Sequence, residues 1–166
     1  KTLDQFGKID ILVNNAGSRP GKDRVPVLEL EEEAFDEVQR VYVRGAYLVS
    51  RAVAPHMVNR GGGGKLIYIS AGAGKKGIAR YAAYCASKFA VIGFTQAMAQ
   101  ELAEHKINVN AICPGGFMTE PNVKWAAENP AIITTFRDQI PAGDFGQPED
   151  MGPLAVYLAS DASRYI

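Results

Sequence analysis

The stretch IDILVNNAG, residues 9–17, decides how the chain folds. It opens with a short, mainly apolar run, Ile9 to Val13 with Asp10 the one polar residue, and stops in a polar turn that carries a glycine. A run that short and that rich in isoleucine, leucine and valine reads as a strand buried on both faces. Two later segments have the same form. KLIYIS (65–70) leads into AGAG, and INVNAIC (107–113) leads into PGG. Long helical patterns separate the three. Roughly 31–59 carries Phe35, Val38, Tyr42, Val49 and Ala52 on one stripe, and roughly 82–104 carries Tyr84, Lys88, Val91, Thr95, Met98 and Leu102. Strand, helix, strand, helix, strand predicts right-handed crossovers and a parallel α/β sheet. The GGGG at 61–64 reads as a turn into the second strand. No strand precedes it directly and no helix follows it, so it is not a phosphate loop.

In an open parallel sheet all the carboxyl ends lie on one edge, and ligands bind in the crevice there. The turns NNAG (14–17), SAGAG (70–74) and PGG (114–116) therefore converge. Their glycines let a ligand approach backbone N–H groups. The composition suits one globular domain over residues 1–166: 47% of residues are hydrophobic and the formal charges cancel. A balanced charge argues against nucleic acid or a membrane surface as partner. No apolar run approaches the roughly 20 residues that span a bilayer, and the first residues lack the apolar core of a signal peptide. Cys85 and Cys113 lie in unrelated segments without metal-ligand spacing, and His56 and His105 are isolated. Reduced thiols in a cytoplasmic protein with no metal site are the expectation.

Within YAAYCASK (81–88), Tyr84 and Lys88 stand four apart, hence on one face of a helix. Both fall on the stripe facing the sheet, close to the helix start and the ligand edge. A free phenol titrates near ~10, too high for efficient proton exchange at neutral pH. An ammonium at ~4–5 Å attracts the phenolate by roughly 3–4 kcal/mol at an effective dielectric of ~20. The expectation is a Tyr84 acidified by Lys88, fit for general acid/base work. A lysine snorkelling past a core tyrosine is the other reading of the same spacing.

GKIDILVNNAG, YCASK, PGGFMT and GQPEDMGPLAVYLASDASRYI, in that order, resemble the short-chain dehydrogenase/reductase family over nearly the whole chain. The resemblance implies a Rossmann-like, doubly wound parallel sheet in three α/β/α layers. It is incomplete, the C-terminal two-thirds of that fold without the N-terminal glycine-rich cofactor loop and the last strand. It implies an oxidoreductase that exchanges hydride between NAD or NADP and an alcohol or ketone of sugar, polyol or 3-oxoacyl type. Tyr84 would be the acid/base. Lys88 would lower its pKa and bind the nicotinamide ribose. Asn15, Ala16 and Gly17 would line the adenosine half of the cofactor. Pro114, Gly115, Phe117 and Thr119 would surround the nicotinamide. The insert from Phe117 to Ile140, with Trp125, corresponds to a segment that closes over substrate. The two long helices imply a homodimer or homotetramer, with Phe89, Ile92, Ala99 and Ala103 on the contact face.

Two positions depart from the family pattern. Ala71 stands where its catalytic serine lies, thirteen residues before the tyrosine, and Ser70 is one residue early. Successive residues of an extended chain face opposite ways. Ser70 therefore replaces the missing hydroxyl only if the chain has already left strand geometry. Tyr42, in VYVRG, stands where the family has asparagine. These departures leave open a catalytically impaired homologue that binds cofactor or acts as a scaffold. A sugar-nucleotide epimerase or dehydratase also uses Tyr-x-x-x-Lys, but NNAG and PGGFMT argue against it.

Overall fold

The computed structural model describes residues 1–18, 21–128 and 130–166, apart from the side chains of residues 121, 125, 131 and 132. The side chain of Trp125, in the insert expected to close over substrate, thus lies outside the described residues. The elements run α1 (Thr2–Phe6), β1 (Ile11–Asn14), α2 (Glu32–Gln39), a π-helical turn (Arg40–Arg44), α3 (Gly45–Arg60), β2 (Gly64–Ile69), α4 (Ala82–Leu102), β3 (Ile107–Ile112), α5 (Glu120–Glu128), α6 (Pro130–Arg137) and α7 (Gly152–Ala159). The three strands expected from the apolar runs are present, parallel and in the order β1-β2-β3. Ile11 pairs with Lys65 and Gly64 with Ile107, so all three carboxyl ends share one edge.

Alternation along β2 divides the core in two. Leu66 and Tyr68 pack with Ala46, Ala54 and Met57 of α3 and Val91 of α4. Ile67, from the opposite face, packs with Ile112 and with Leu158 of α7. Helices on both faces of a parallel sheet make the expected three layers. Each fully buried Leu or Met contributes roughly 1.5–3 kcal/mol of apolar burial. Within the first core the Ser50 hydroxyl donates to the Ala46 carbonyl at 2.6 Å, so the Tyr68 phenol is the donor in its 2.5 Å bond to Ser50. Burial raises the Tyr68 pKa, with Ser50 opposing it. On β1 the face away from α3 is open, with Ile11 44% and Val13 48% exposed.

The helix expected over 31–59 is interrupted by the π turn, and its inward stripe differs from the expected one. Val38 is buried as expected, but Val49 and Ala52 face outward; Ala46, Ser50, Ala54 and Met57 are buried instead. A π turn holds one extra residue. The inward positions beyond it therefore fall out of the expected count, with 50 buried in place of 49 and 54 in place of 52. The glycine link from α3 to β2 holds Gly61, Gly62 and Gly63 all at positive φ. A Cβ on Gly63 would also strike the Lys106 carbonyl.

The chain after β3 is pinched to a later segment. Phe117 forms a parallel bridge with Gly146, the Gly146 N–H donates to the Gly116 carbonyl at 3.0 Å, and the Met118 N–H donates to the Gly146 carbonyl at 2.9 Å. Gly116 lies against the Phe145 ring and Gly146 against the Phe117 ring, each too close for a Cβ.

Candidate active site

Helix α4 begins just after Tyr81, its N-cap, so Tyr84 and Lys88 occupy its first two turns. Lys88 is 4% exposed, and its Nζ donates to the carbonyl of Ile69, the last residue of β2, at 2.9 Å. The lysine thus reaches the carboxyl edge of the sheet, as its stripe position predicts.

The backbone at Ala71 is extended, with φ −166° and ψ 168°. Strand geometry therefore persists beyond Ser70, and the condition under which Ser70 could stand in for the family serine is not met. Ser70 is 3% exposed, and its hydroxyl donates to the Lys88 carbonyl at 2.9 Å. Gly74 permits that approach, because a Cβ there would lie 2.6 Å from the Ser70 oxygen and 2.8 Å from the Lys88 carbonyl oxygen. Ser70 ties β2 to α4 and so fixes the turn that bears Lys88.

Tyr42 projects from the π turn into the same space. Its ring meets Tyr84 edge-on at 5.6 Å between centroids, and the Lys88 ammonium lies 4.0 Å from the Tyr42 centroid. Its hydroxyl donates to the Ser18 carbonyl at 3.4 Å, just past the NNAG turn. A Cβ on Gly17 would lie 2.9 Å from the Tyr42 oxygen, so a side chain there would require the Tyr42 ring to shift. The loop after β1 adds Arg24, whose guanidinium lies 4.2 Å from the centroids of both Tyr81 and Tyr84. Asp23, 4% exposed, pairs with Arg24 at 3.0 Å. Tyr42, Lys88, Tyr84, Arg24 and Tyr81 thus alternate aromatic and cation.

Burial, then the neighbouring Tyr42 phenol, push the Tyr84 hydroxyl up to about 12; Arg24 opposes them. Burial holds Lys88 down to about 8. The expectation that Lys88 acidifies Tyr84 is therefore overturned here. The attraction estimated from spacing left out the cost of withdrawing both charges from water, which acts against each charged form. Lys88 also lies 5.4 Å from the Tyr84 centroid and is turned to Ile69.

Asn15, Ala16 and Gly17 are exposed where β1 ends. Pro114 is half-buried and accepts the Gly72 N–H at 2.8 Å. Gly115 and Thr119 are exposed, and Phe117 is half-buried in the pinch. Arg24 and Tyr81 escaped the sequence reading. Nothing in a polar loop singles out one arginine; the adjacent Asp23 was the one available sign. Among the described residues no group of three His, Cys, Asp or Glu could hold a metal ion, and no helix is long and apolar enough to cross a membrane.

A family model described as enoyl-(acyl carrier protein) reductase matches residues 1–166. The chain belongs to the short-chain dehydrogenase/reductase family. It is 40% identical over 166 residues to the 2-dehydro-3-deoxy-D-gluconate 5-dehydrogenase of Dickeya dadantii (strain 3937) and 41% identical over 167 residues to that of Escherichia coli (strain K12). Each match takes in 100% of this chain and 64% of the relative, so the chain spans less than two thirds of their length. A solved gluconate 5-dehydrogenase from Burkholderia cenocepacia J2315, in complex with NADP and tartrate, superposes with a TM-score of 0.92 at 34% identity, over 99% of this chain and 63% of that one.

The short-chain dehydrogenase/reductase residues present fit a nicotinamide dinucleotide. The exposed turns after β1 and β3 flank the β2 end that Lys88 touches. No atom stands within 4 Å of a Cβ built on Gly115, so its backbone is open to a ligand. Among the described residues Ile69 takes one of the three N–H donors of Lys88, which leaves donors for ribose hydroxyls.

Proposed function

We propose that this chain carries the catalytic part of an oxidoreductase acting on the alcohol or ketone carbon of a small sugar, sugar acid or polyol, with NAD or NADP as cofactor. The observation that carries this reading is the pair of Tyr84 and buried Lys88 at the carboxyl edge of the sheet. The cofactor, when bound, supplies or accepts the hydride. Tyr84 gives or takes the proton on the substrate oxygen. A phenol held at about 12 is protonated at neutral pH and can donate a hydrogen bond to a carbonyl oxygen, but it is a weaker acid than a free phenol, so the raised pKa works against proton transfer rather than for it. Lys88 holds the ribose, Asn15, Ala16 and Gly17 the adenosine half, and Pro114, Gly115, Phe117 and Thr119 the nicotinamide. Ser70 is a positioning residue behind Lys88. Arg24, fixed by Asp23 beside Tyr84, offers a guanidinium suited to a carboxylate. The names of the relatives and Arg24 together put sugar acids first among substrates.

The complete protein, screened with NADH and NADPH against sugar-acid, polyol and 3-oxoacyl carbonyl substrates, tests this. Tyr84→Phe should lower turnover by about 10²–10⁴-fold, with cofactor binding, read by fluorescence, retained. Undiminished turnover in that variant removes Tyr84 from its role. Tight cofactor binding with no turnover of any carbonyl favours the second reading, a cofactor-binding or scaffold homologue. Ala71, in place of the family serine, is the observation behind that reading. A cytoplasmic location and a homodimer or homotetramer belong to the same proposal. Phe89 on α4 and Tyr47, Leu48 and Val49 on α3 are exposed and suit such a contact. Ala99 packs against the chain's own core and drops out of that face.

A further inference from the structure

We infer that Tyr42 is a positioning residue for Lys88, its ring face holding the ammonium that the family reading sends to the cofactor. Lys88 is buried, yet the groups facing it include no carboxylate among the described residues. They are Tyr42 on the π turn at 4.0 Å, Tyr84 on its own helix at 5.4 Å, the Ile69 carbonyl at 2.9 Å, Cys113 past β3 and Arg24 past β1. A desolvated ammonium needs a compensating negative potential. The π face of a tyrosine provides one, and a cation within ~6 Å of the ring centroid is in range. Tyr42 is the nearer of the two rings.

The Tyr42 hydroxyl does a separate job. It donates to the Ser18 carbonyl and so secures the chain just beyond Asn15–Gly17. One side chain thus links the lysine to the turn after β1. An asparagine at this position has no ring face and is too short to span both contacts. The bulk of Tyr42 is then a means of stabilising Lys88 rather than an obstruction, and the π turn aims it there. Burial lowers Lys88 to about 8; the ring face favours the charged form against that cost.

The inference rests on the proposed function, but its test does not need turnover. Lysine labelled with carbon-13 at Cε reports the titration of Lys88 by nuclear magnetic resonance in the complete, cofactor-free protein, with Lys88→Met assigning the signal. Tyr42→Phe keeps the ring and should leave the Lys88 midpoint within a few tenths of a pH unit. Phenylalanines carrying one, two or three ring fluorines at position 42 keep the shape while draining the π face. They should lower the midpoint stepwise, by about one pH unit at three fluorines. A midpoint constant across the fluorinated series overturns the inference. So does a fall in Tyr42→Phe as large as that from full fluorination, because the hydroxyl would then be the supporting group. If the series behaves as expected but the protein turns over no carbonyl, the proposed function fails and the role of Tyr42 stands.

Discussion

Lys88 and Tyr84 make a pH signature at the scale of single residues. Lys88 sits at about 8 in the folded chain against its usual 10.5. Between those values the unfolded chain holds a proton that the folded chain has released, so stability rises with pH. Tyr84, at about 12 against 10.0, acts in the opposite sense above pH 10, where the unfolded phenol ionises first. The net rise is therefore confined to about pH 8–10. Denaturant unfolding of the complete protein should show about 2 kcal/mol more gain across that window than unfolding of Lys88→Met. Equal gains would show that Lys88 keeps its ordinary pKa. The spacing of Tyr84 and Lys88 put both on one helix face, but Lys88 turns to Ile69 and lies nearer the Tyr42 ring than the Tyr84 ring. It could not tell the sign of the Tyr84 shift, because depth of burial is set by helices and strands far off in the chain. Arg24 was illegible for a related reason. Its partners Tyr81 and Tyr84 lie across a long crossover, and no local period connects them.

At the scale of elements, short apolar runs bounded by glycine turns were enough to locate β1, β2 and β3 and their common edge. Apolar periodicity also located α4, whose Lys88, Val91 and Thr95 point inward as its stripe required. The same periodicity failed in the helix before β2. A straight helix advances at 3.6 residues per turn, and the extra residue at 40–44 breaks that count without leaving a proline or glycine inside the π turn to mark it. The glycine link was legible as a turn but not in its strain. Gly63 stands at φ +82° with Lys106 beside it. Left-handed backbone costs a side chain roughly 1–2 kcal/mol before any clash. Gly63→Ala should therefore destabilise by more than that and lower the melting temperature, while Gly62→Ala, with no neighbour within 4 Å, should bear only the backbone cost. Equal losses in the two variants would show that Lys106 gives way.

For the whole molecule, three layers place every candidate group on one rim. The second core, with Leu158 of α7, closes the face that α3 and α4 leave open over β2 and β3, but not over β1. Apolar side chains on α3 and α4 face outward as well, and self-association through them is the expectation to test. Phe89→Glu should shift the complete protein to a smaller species in light scattering. An unchanged mass would exclude that face as the contact. The pinch of 116–118 on 145–146 has its own consequence. The two ends of the intervening stretch are brought side by side there, Phe117 against Gly146. Evolution, or a protein engineer, could vary its length and sequence while those two glycine-and-phenylalanine latches hold its ends together.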